Sequence, residues 1–335
     1  MKPPHTDAVV PLRISTDCPM SRTVLLAARF PERLGRELAA RYDVLGPFDG
    51  PLPDVLPSQH APRIRAVVTM GSLSTGRALM DALPELGLVC CYGSGYEGVD
   101  RTAAAERGIV VAHSPNANAA AVADLAMGLV LASIHQIVAK DRFLRQGDWK
   151  GNAAQRLPMP RGLTGRRLGI YGLGAIGSRI AARAAAFEMA VAYHNRRPRP
   201  DVAYAYHGSL LALAEWADIL VIAVRAGAAT RHTENSAMLR ALGPSGHVIN
   251  IARGSVIDEA ALIEALEAGT IAGAGLDVFE HEPAVPERLK RMTGVVLTPH
   301  IGGATVEAQE AMQDMVLANL DSFFAGRPVP TPVPS

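Results

Sequence analysis

Arg253, Glu282 and His300 each follow a short apolar run, in Asn250-Ile251-Ala252-Arg253-Gly254, Asp277-Val278-Phe279-Glu280-His281-Glu282-Pro283 and Thr298-Pro299-His300-Ile301-Gly302-Gly303. A guanidinium is a natural fork for a carboxylate or carbonyl oxygen. A histidine gives or takes a proton near neutral pH, and a carboxylate bonded to its far nitrogen favours the imidazolium and fixes the ring. Together the three suit a keto acid whose oxygen must gain or lose a proton. Singly, each has a plainer reading: a solvated arginine, a glutamate ending an element before proline, a structural histidine. All three fall at the ends of predicted parallel strands, where open α/β sheets bind ligands, and that shared placement favours a convergent site.

A hydride source is implied by residues 166–197. Leu168-Gly169-Ile170-Tyr171 is an apolar run of strand length, and Gly172-Leu173-Gly174-Ala175-Ile176-Gly177 follows it at once. From Ala175 to Phe187 the apolar residues recur at helical spacing, and Ala190 to Tyr193 reads as the next strand. The glycines therefore sit where a strand turns into a helix, the context that separates a dinucleotide site from a chance match. Gly172 permits the turn, Gly174 lets a pyrophosphate approach, and Gly177 lets helix and strand pack. A unit that binds NAD usually places an acid about 20 residues past the glycines, for the ribose 2′-OH. Here Asn195 takes that place and Arg196 and Arg197 follow it. A 2′-phosphate would be repelled by an acid and held by guanidinium groups, so NADPH is the expected cofactor and NAD the second choice. With a nicotinamide as hydride donor, the chemistry is that of a carbonyl reductase.

The elements that must carry these residues follow from the order of the chain. Its 335 residues suggest two domains at about 150 residues each. Val24-Leu25-Leu26, Ile64 to Thr69, Leu88 to Tyr92 and Ile109-Val110-Val111 read as strands separated by helices, which implies a parallel sheet. A second series of strand–helix units runs from about 165 to 300. Between the two, Asn118 to Arg145 reads as one long alanine-rich helix, near the length of a membrane span. Asp124 and Gln136 inside it favour a buried helix instead. A last helix is capped by Thr305 and buries Ala308, Met312, Met315, Leu320 and Phe323.

Composition narrows the partners. A formal net charge of +1, with 49% hydrophobic and 19% charged residues, describes an ordinary globular chain with no global pull toward nucleic acid or membrane. Three cysteines, Cys18, Cys90 and Cys91, are too few and too unevenly placed for a disulfide framework or a zinc site, so a reducing cytoplasm and no metal are expected. Residues 1–22 read as a flexible leader.

The four motifs, in this order, resemble the signatures of the D-isomer-specific 2-hydroxyacid dehydrogenases, and within them most resemble the glyoxylate/hydroxypyruvate and hydroxyphenylpyruvate reductases. The likeness runs from about Thr23 to Pro330. It implies two Rossmann-like, doubly wound parallel-sheet α/β domains with a cleft between them: a discontinuous substrate domain, 23–112 plus 305–330, and an NADP-binding Rossmann domain, 113–304. It assigns the arginine, glutamate and histidine roles to Arg253, Glu282 and His300, with His300 as proton donor in reduction. By the same resemblance Ser94 and Gly95 offer backbone amides to the substrate carboxylate. Leu173 to Ile176 meet the pyrophosphate, Ile251 and Ala252 line the cofactor site, and Asp277 meets the nicotinamide carboxamide. A small 2-oxo or 2-hydroxy acid is the implied substrate, and a homodimer the implied assembly. Two departures stand out: Arg225 where relatives commonly carry proline, and His113, read as structural, where a small polar residue is frequent.

Two alternatives differ in kind. One is a D-2-hydroxyacid dehydrogenase of other specificity, for hydroxyphenylpyruvate, D-lactate or 3-phosphoglycerate. The other is a nucleotide-sensing corepressor on the same fold, for which long partner-binding tails are expected, whereas this chain runs only briefly past its last helix.

Overall fold

The computed structural model describes residues 21–151 and 159–334. The expected leader lies outside them apart from Ser21 and Arg22, as do Cys18 and part of the irregular connection before the glycine turn. The described residues form two units, one running to Ala117 and resuming at Gln309, the other Asn118–Ala308.

In the first unit the chain forms β1 (Thr23–Leu26), α1 (Glu32–Arg41), β2 (Asp43–Leu45), β3 (Ile64–Met70), α2 (Arg77–Ala82), β4 (Leu88–Tyr92), α3 (Arg101–Glu106) and β5 (Val110–Ala112). The strands pair in parallel in the order β2-β1-β3-β4-β5. All five residues of β4 are buried, as a parallel strand covered on both faces requires. Cys90 accordingly packs into one apolar cluster and Cys91 into the other. The expected boundary after residue 112 moves to Ala117. His113 donates its amide to Thr331 O at 3.1 Å and Ser114 donates to Gly93 O at 2.8 Å, which ties both residues to the first unit.

The second unit holds α4 (Ala119–Ile134), α5 (Ile137–Arg145), β6 (Arg167–Tyr171), α6 (Ala175–Ala186), β7 (Ala190–His194), β8 (Ala205–Tyr206) and α7 (Leu210–Trp216). It continues with β9 (Ile219–Ile222), α8 (Ser236–Leu242), β10 (His247–Asn250), α9 (Glu259–Glu267), β11 (Gly273–Leu276), α10 (Glu287–Arg291) and β12 (Val295–Leu297). Its parallel sheet has the order β12-β11-β10-β9-β6-β7-β8. The order reverses at β6, between β9 and β7, and ligands of such sheets bind where the strands end beside that switch point. The helix α11 (Val306–Phe324) begins in this unit and continues in the first, so the expected boundary at 304 moves to Ala308. There Met312, Val316, Leu320 and Phe323 pack with Val24, Val68 and Cys90.

The long helix expected over 118–145 is two. Gln136 adopts a left-handed φ of 54°, and the axes of α4 and α5 differ by 61°. The break marks where the chain leaves the core: α4 buries ten residues and α5 none. No single described helix is long and apolar enough to cross a membrane, although the bent pair passes by length and composition.

Candidate active site

Arg253, Glu282 and His300 leave three neighbouring strands, β10, β11 and β12. The turn after β10 is shaped by Asn250, whose Oδ1 accepts the Ala252 amide at 3.0 Å while Nδ2 donates to Arg253 O at 3.0 Å. Arg253 Nη1 donates to Ala252 O at 2.7 Å, which sets the part-buried guanidinium against its own turn. A Cβ on Gly254 would lie 1.9 Å from the carbonyl carbon of Phe279, so only glycine lets this turn lie against the one that leads to Glu282.

Glu282 is held at both oxygens. The Phe279 amide donates to Oε1 at 3.1 Å, and His300 Nδ1 donates to Oε2 at 2.7 Å. Burial raises the pKa of Glu282, but the His300 hydrogen bond, the Phe279 amide and the charges of His300 and Arg253 outweigh it, so the group lies below its ordinary range. With Nδ1 committed, the imidazole has Nε2 left for a ligand. The His300 backbone has a φ of 52°, a left-handed conformation that costs about 1 kcal/mol or more outside glycine and persists where surroundings impose it.

Those surroundings are chiefly Asp277, which is 2% exposed. Its Oδ1 accepts the Thr298 hydroxyl at 2.7 Å and the Ile301 amide at 2.8 Å, and Oδ2 accepts the Gly302 amide at 2.9 Å. Its carbonyl accepts the His300 amide at 2.9 Å. Asp277 thus braces the whole loop around His300, a task its sequence position did not disclose.

At the switch point, Gly172 has φ 101°, and a Cβ there would lie 2.6 Å from Val224 N. A Cβ on Gly177 would lie 2.2 Å from Gly172 O, whereas one on Gly174 would meet nothing within 4 Å. Packing inside the protein therefore explains Gly172 and Gly177 but not Gly174, which fits the close approach of a pyrophosphate to the N-terminus of α6. Ala175 and Ile176 open that helix and Leu173 is buried beneath it. Asn195 Oδ1 accepts the Leu173 amide at 2.7 Å, so the residue in the usual acidic position grips the glycine turn. Arg196 and Arg197 are exposed and form no hydrogen bond or ion pair among the described residues. Ile251 and Ala252, just past β10, are buried. Arg225 is exposed, and its carbonyl accepts the Thr230 hydroxyl at 3.0 Å.

In the first unit Ser94 and Gly95 follow β4 through Gly93, whose φ is 98°. The Gly93 carbonyl accepts the Ser114 amide, and His113 Nδ1 donates to the Ser94 carbonyl at 3.0 Å. In a trans peptide the N–H points opposite to the C=O, so the held Ser94 carbonyl sets the direction of the Gly95 amide. His113, 6% exposed and edge-on to Tyr96, is therefore a support of this turn. Among the described residues no cluster of three or more histidine, cysteine or acidic groups could hold a metal. Burial pushes the Cys90 and Cys91 thiols well up, which keeps both protonated and unreactive.

The family described as D-isomer specific 2-hydroxyacid dehydrogenase, NAD binding domain, matches residues 127–302. Over 310 residues the chain is 40% identical to the hydroxyphenylpyruvate reductase of Plectranthus scutellarioides, covering 92% of this chain and 98% of that one. It is 41% identical, with the same coverage, to the glyoxylate/hydroxypyruvate reductase A of Arabidopsis thaliana. Among solved structures, the NADPH-dependent glyoxylate/hydroxypyruvate reductase of Sinorhizobium meliloti, in complex with NADP and malonate, superposes with a TM-score of 0.87 at 38% identity. That match covers 93% of this chain and 97% of the other.

Proposed function

Because the chain belongs to the D-isomer-specific 2-hydroxyacid dehydrogenase family, we propose that it uses NADPH to reduce a small 2-oxo acid, glyoxylate or hydroxypyruvate first, to the D-2-hydroxy acid. The observation that carries the reading is the 2.7 Å bond between His300 and Glu282, beside Arg253 and in the same unit as the glycine turn. When bound, the cofactor supplies the hydride that reaches the substrate carbonyl carbon. The chain's own residues do the rest. Arg253 polarises the carbonyl oxygen and pairs with the carboxylate, a task suited to its planar fork. Glu282 holds Nδ1, so the ring carries its transferable proton at Nε2 and releases it to the oxygen as the alcohol forms. In the first unit, the turn that presents the Ser94 and Gly95 amides is of a kind suited to a carboxylate. Gly172 to Gly177 receive the pyrophosphate, with Asn195, Arg196 and Arg197 at the ribose end.

A panel of glyoxylate, hydroxypyruvate, hydroxyphenylpyruvate and pyruvate, each with NADPH and NADH, tests the reading. Turnover confined to NADH, or absent with all four acids, would overturn it. Reduction of hydroxyphenylpyruvate is the second reading, supported by the 40% identity to the Plectranthus enzyme over almost the whole chain.

The assembly we propose is a homodimer. Ile137 and Leu144 of α5, and Trp149 and Met159 beyond it, expose large apolar side chains, from 51% to 86%, and α5 buries none of its residues. Sedimentation velocity at micromolar protein decides it. A cytoplasmic location is proposed on the two buried, unpaired thiols Cys90 and Cys91, and cell fractionation followed by immunoblotting tests it.

A further inference from the structure

Arg199 lies two residues past the arginine pair assigned to the 2′-phosphate, and its bonding differs from theirs. Nη1 donates to Leu173 O at 3.1 Å and to Ser178 Oγ at 2.9 Å. Nε donates to Asp201 Oδ1 at 3.1 Å, and Nη2 to the other oxygen of the same carboxylate. Its amide donates to the Tyr193 hydroxyl at 2.7 Å, which pins the loop to the end of β7. The charge of Arg199 is thus matched by Asp201, while those of Arg196 and Arg197 are unmatched among the described residues.

The two acceptors of Nη1 lie on the other half of the cofactor site. Leu173 stands between Gly172 and Gly174, and Ser178 is in the first turn of α6. Leu173 is held twice from beyond β7, its N–H by Asn195 and its C=O by Arg199. Since C=O and N–H of one trans peptide point oppositely, the grip on Leu173 O sets the direction of the Gly174 N–H, next to the free donors at the start of α6. Without the brace, two prolines and three arginines within residues 196–200 make a loop whose like charges drive it outward.

We propose that Arg199 is a positioning residue that fastens the basic loop to the glycine turn, so that Arg196, Arg197 and the turn amides meet the phosphates of NADPH as one preorganised surface. The proposal rests on the NADPH reading above. A preorganised site binds more tightly because the cost of ordering the loop is met in folding. The effect falls mainly on the 2′-phosphate, whose ligands ride on the loop, and less on the pyrophosphate, which α6 still receives.

Calorimetric titration of the full chain with 2′,5′-ADP and with 5′-AMP tests this without turnover. In Arg199→Met the Kd for 2′,5′-ADP is expected to rise roughly 5- to 20-fold, and that for 5′-AMP by less than about threefold. Ser178→Ala, which removes one acceptor at the edge of the brace, should show a smaller loss in the same direction, and serves if Arg199→Met unfolds. In steady state the KM for NADPH rises while kcat stays within about twofold. Asp201→Asn separates bracing from direct contact. Bracing predicts weaker 2′,5′-ADP binding although a negative charge has been removed. Tighter binding in Asp201→Asn would make Arg199 a direct phosphate ligand and overturn the proposal, as would equal losses for both nucleotides in Arg199→Met. A parent protein that favours 2′,5′-ADP, with Arg199→Met unchanged, sinks the proposal alone. A parent that binds the two nucleotides alike sinks the NADPH reading and the proposal with it.

Discussion

His300 gives its Nδ1 proton to Glu282 Oε2 at 2.7 Å, which leaves Nε2 as the ring nitrogen that can serve a substrate oxygen. Replacing His300 with Gln keeps a polar group of similar reach but removes the titrating one, so kcat should fall about 10²- to 10⁴-fold. Single-turnover kinetics with saturating cofactor measure it, and a near-normal rate would remove His300 from the reaction. The pH dependence of the pair follows from Glu282, whose pKa lies below its ordinary 4.5. Its contribution to the fold is complete above that unfolded value and is lost as pH falls through the lower folded one. Glu282→Gln should therefore flatten that part of the acid-unfolding profile and also slow reduction.

Asp277 acts on the same histidine from behind. Its carboxylate receives three donors, from Thr298, Ile301 and Gly302. In Asp277→Asn one oxygen becomes an NH₂ facing donors, and a buried mismatch of this kind costs about 1–3 kcal/mol. Urea unfolding should show that loss, and kcat should drop together with it because the loop carrying His300 loses its anchor. A variant destabilised to this extent with unchanged kcat would mean that the ring is oriented without Asp277.

The contrast between Asp277 and Gly174 shows what a sequence discloses. The turn from β6 to α6 is legible because Gly172 and Gly177 answer requirements of the fold, a left-handed φ and a close packing contact, while Gly174 completes a spacing between strand and helix that leaves few alternatives. Strand exits are legible too, since buried parallel strands are short apolar runs. Asp277, by contrast, acts through residues 21 to 25 positions away, and nothing in its own neighbourhood signals that loop. His113 is read as structural and does support the Ser94 turn, but its partner, 19 residues away, is not signalled by its own neighbourhood. The α4–α5 break escapes because Gln136 turns left-handed with neither proline nor glycine to announce it. The edge strands β2 and β8, three and two residues long, are too short for any period to register.

Cofactor choice should be transferable by two substitutions. Asn195→Asp keeps an oxygen for the Leu173 amide, so the glycine turn survives the change, and it adds an acceptor suited to a ribose 2′-OH. Arg196→Gln removes one of two unmatched guanidinium groups. The double variant should raise the KM for NADPH at least tenfold and lower that for NADH, with kcat little altered. Steady-state kinetics at fixed moderate salt measure both, since exposed charges are screened. A parent protein that already binds NADH as tightly as NADPH would show that these arginines do not read the phosphate.

A second dependence on pH arises at Glu234, which is fully buried with neither carboxylate oxygen hydrogen-bonded among the described residues. Its amide donates to Val256 O at 3.1 Å and its carbonyl accepts the Asp258 amide at 2.9 Å, so it flanks the segment that follows Arg253. Burial pushes its carboxyl up to about 8, against 4.5 for an ordinary glutamate. Between those values the folded chain keeps a proton that the unfolded chain releases. The favourable contribution is therefore whole below 4.5, declines as pH rises, and is gone above about 8. Across that window the loss amounts to about 1.4 kcal/mol per pH unit. Glu234→Met fills a similar volume without a titrating group. Its melting temperature should exceed that of the parent by several degrees at pH 8.5, with the gap shrinking or reversing at pH 5. Thermal unfolding followed by circular dichroism at the two pH values measures the difference. A gap of the same size at both would show that Glu234 stays charged in the fold, with a partner or a path to water that neutralises the cost of burying it.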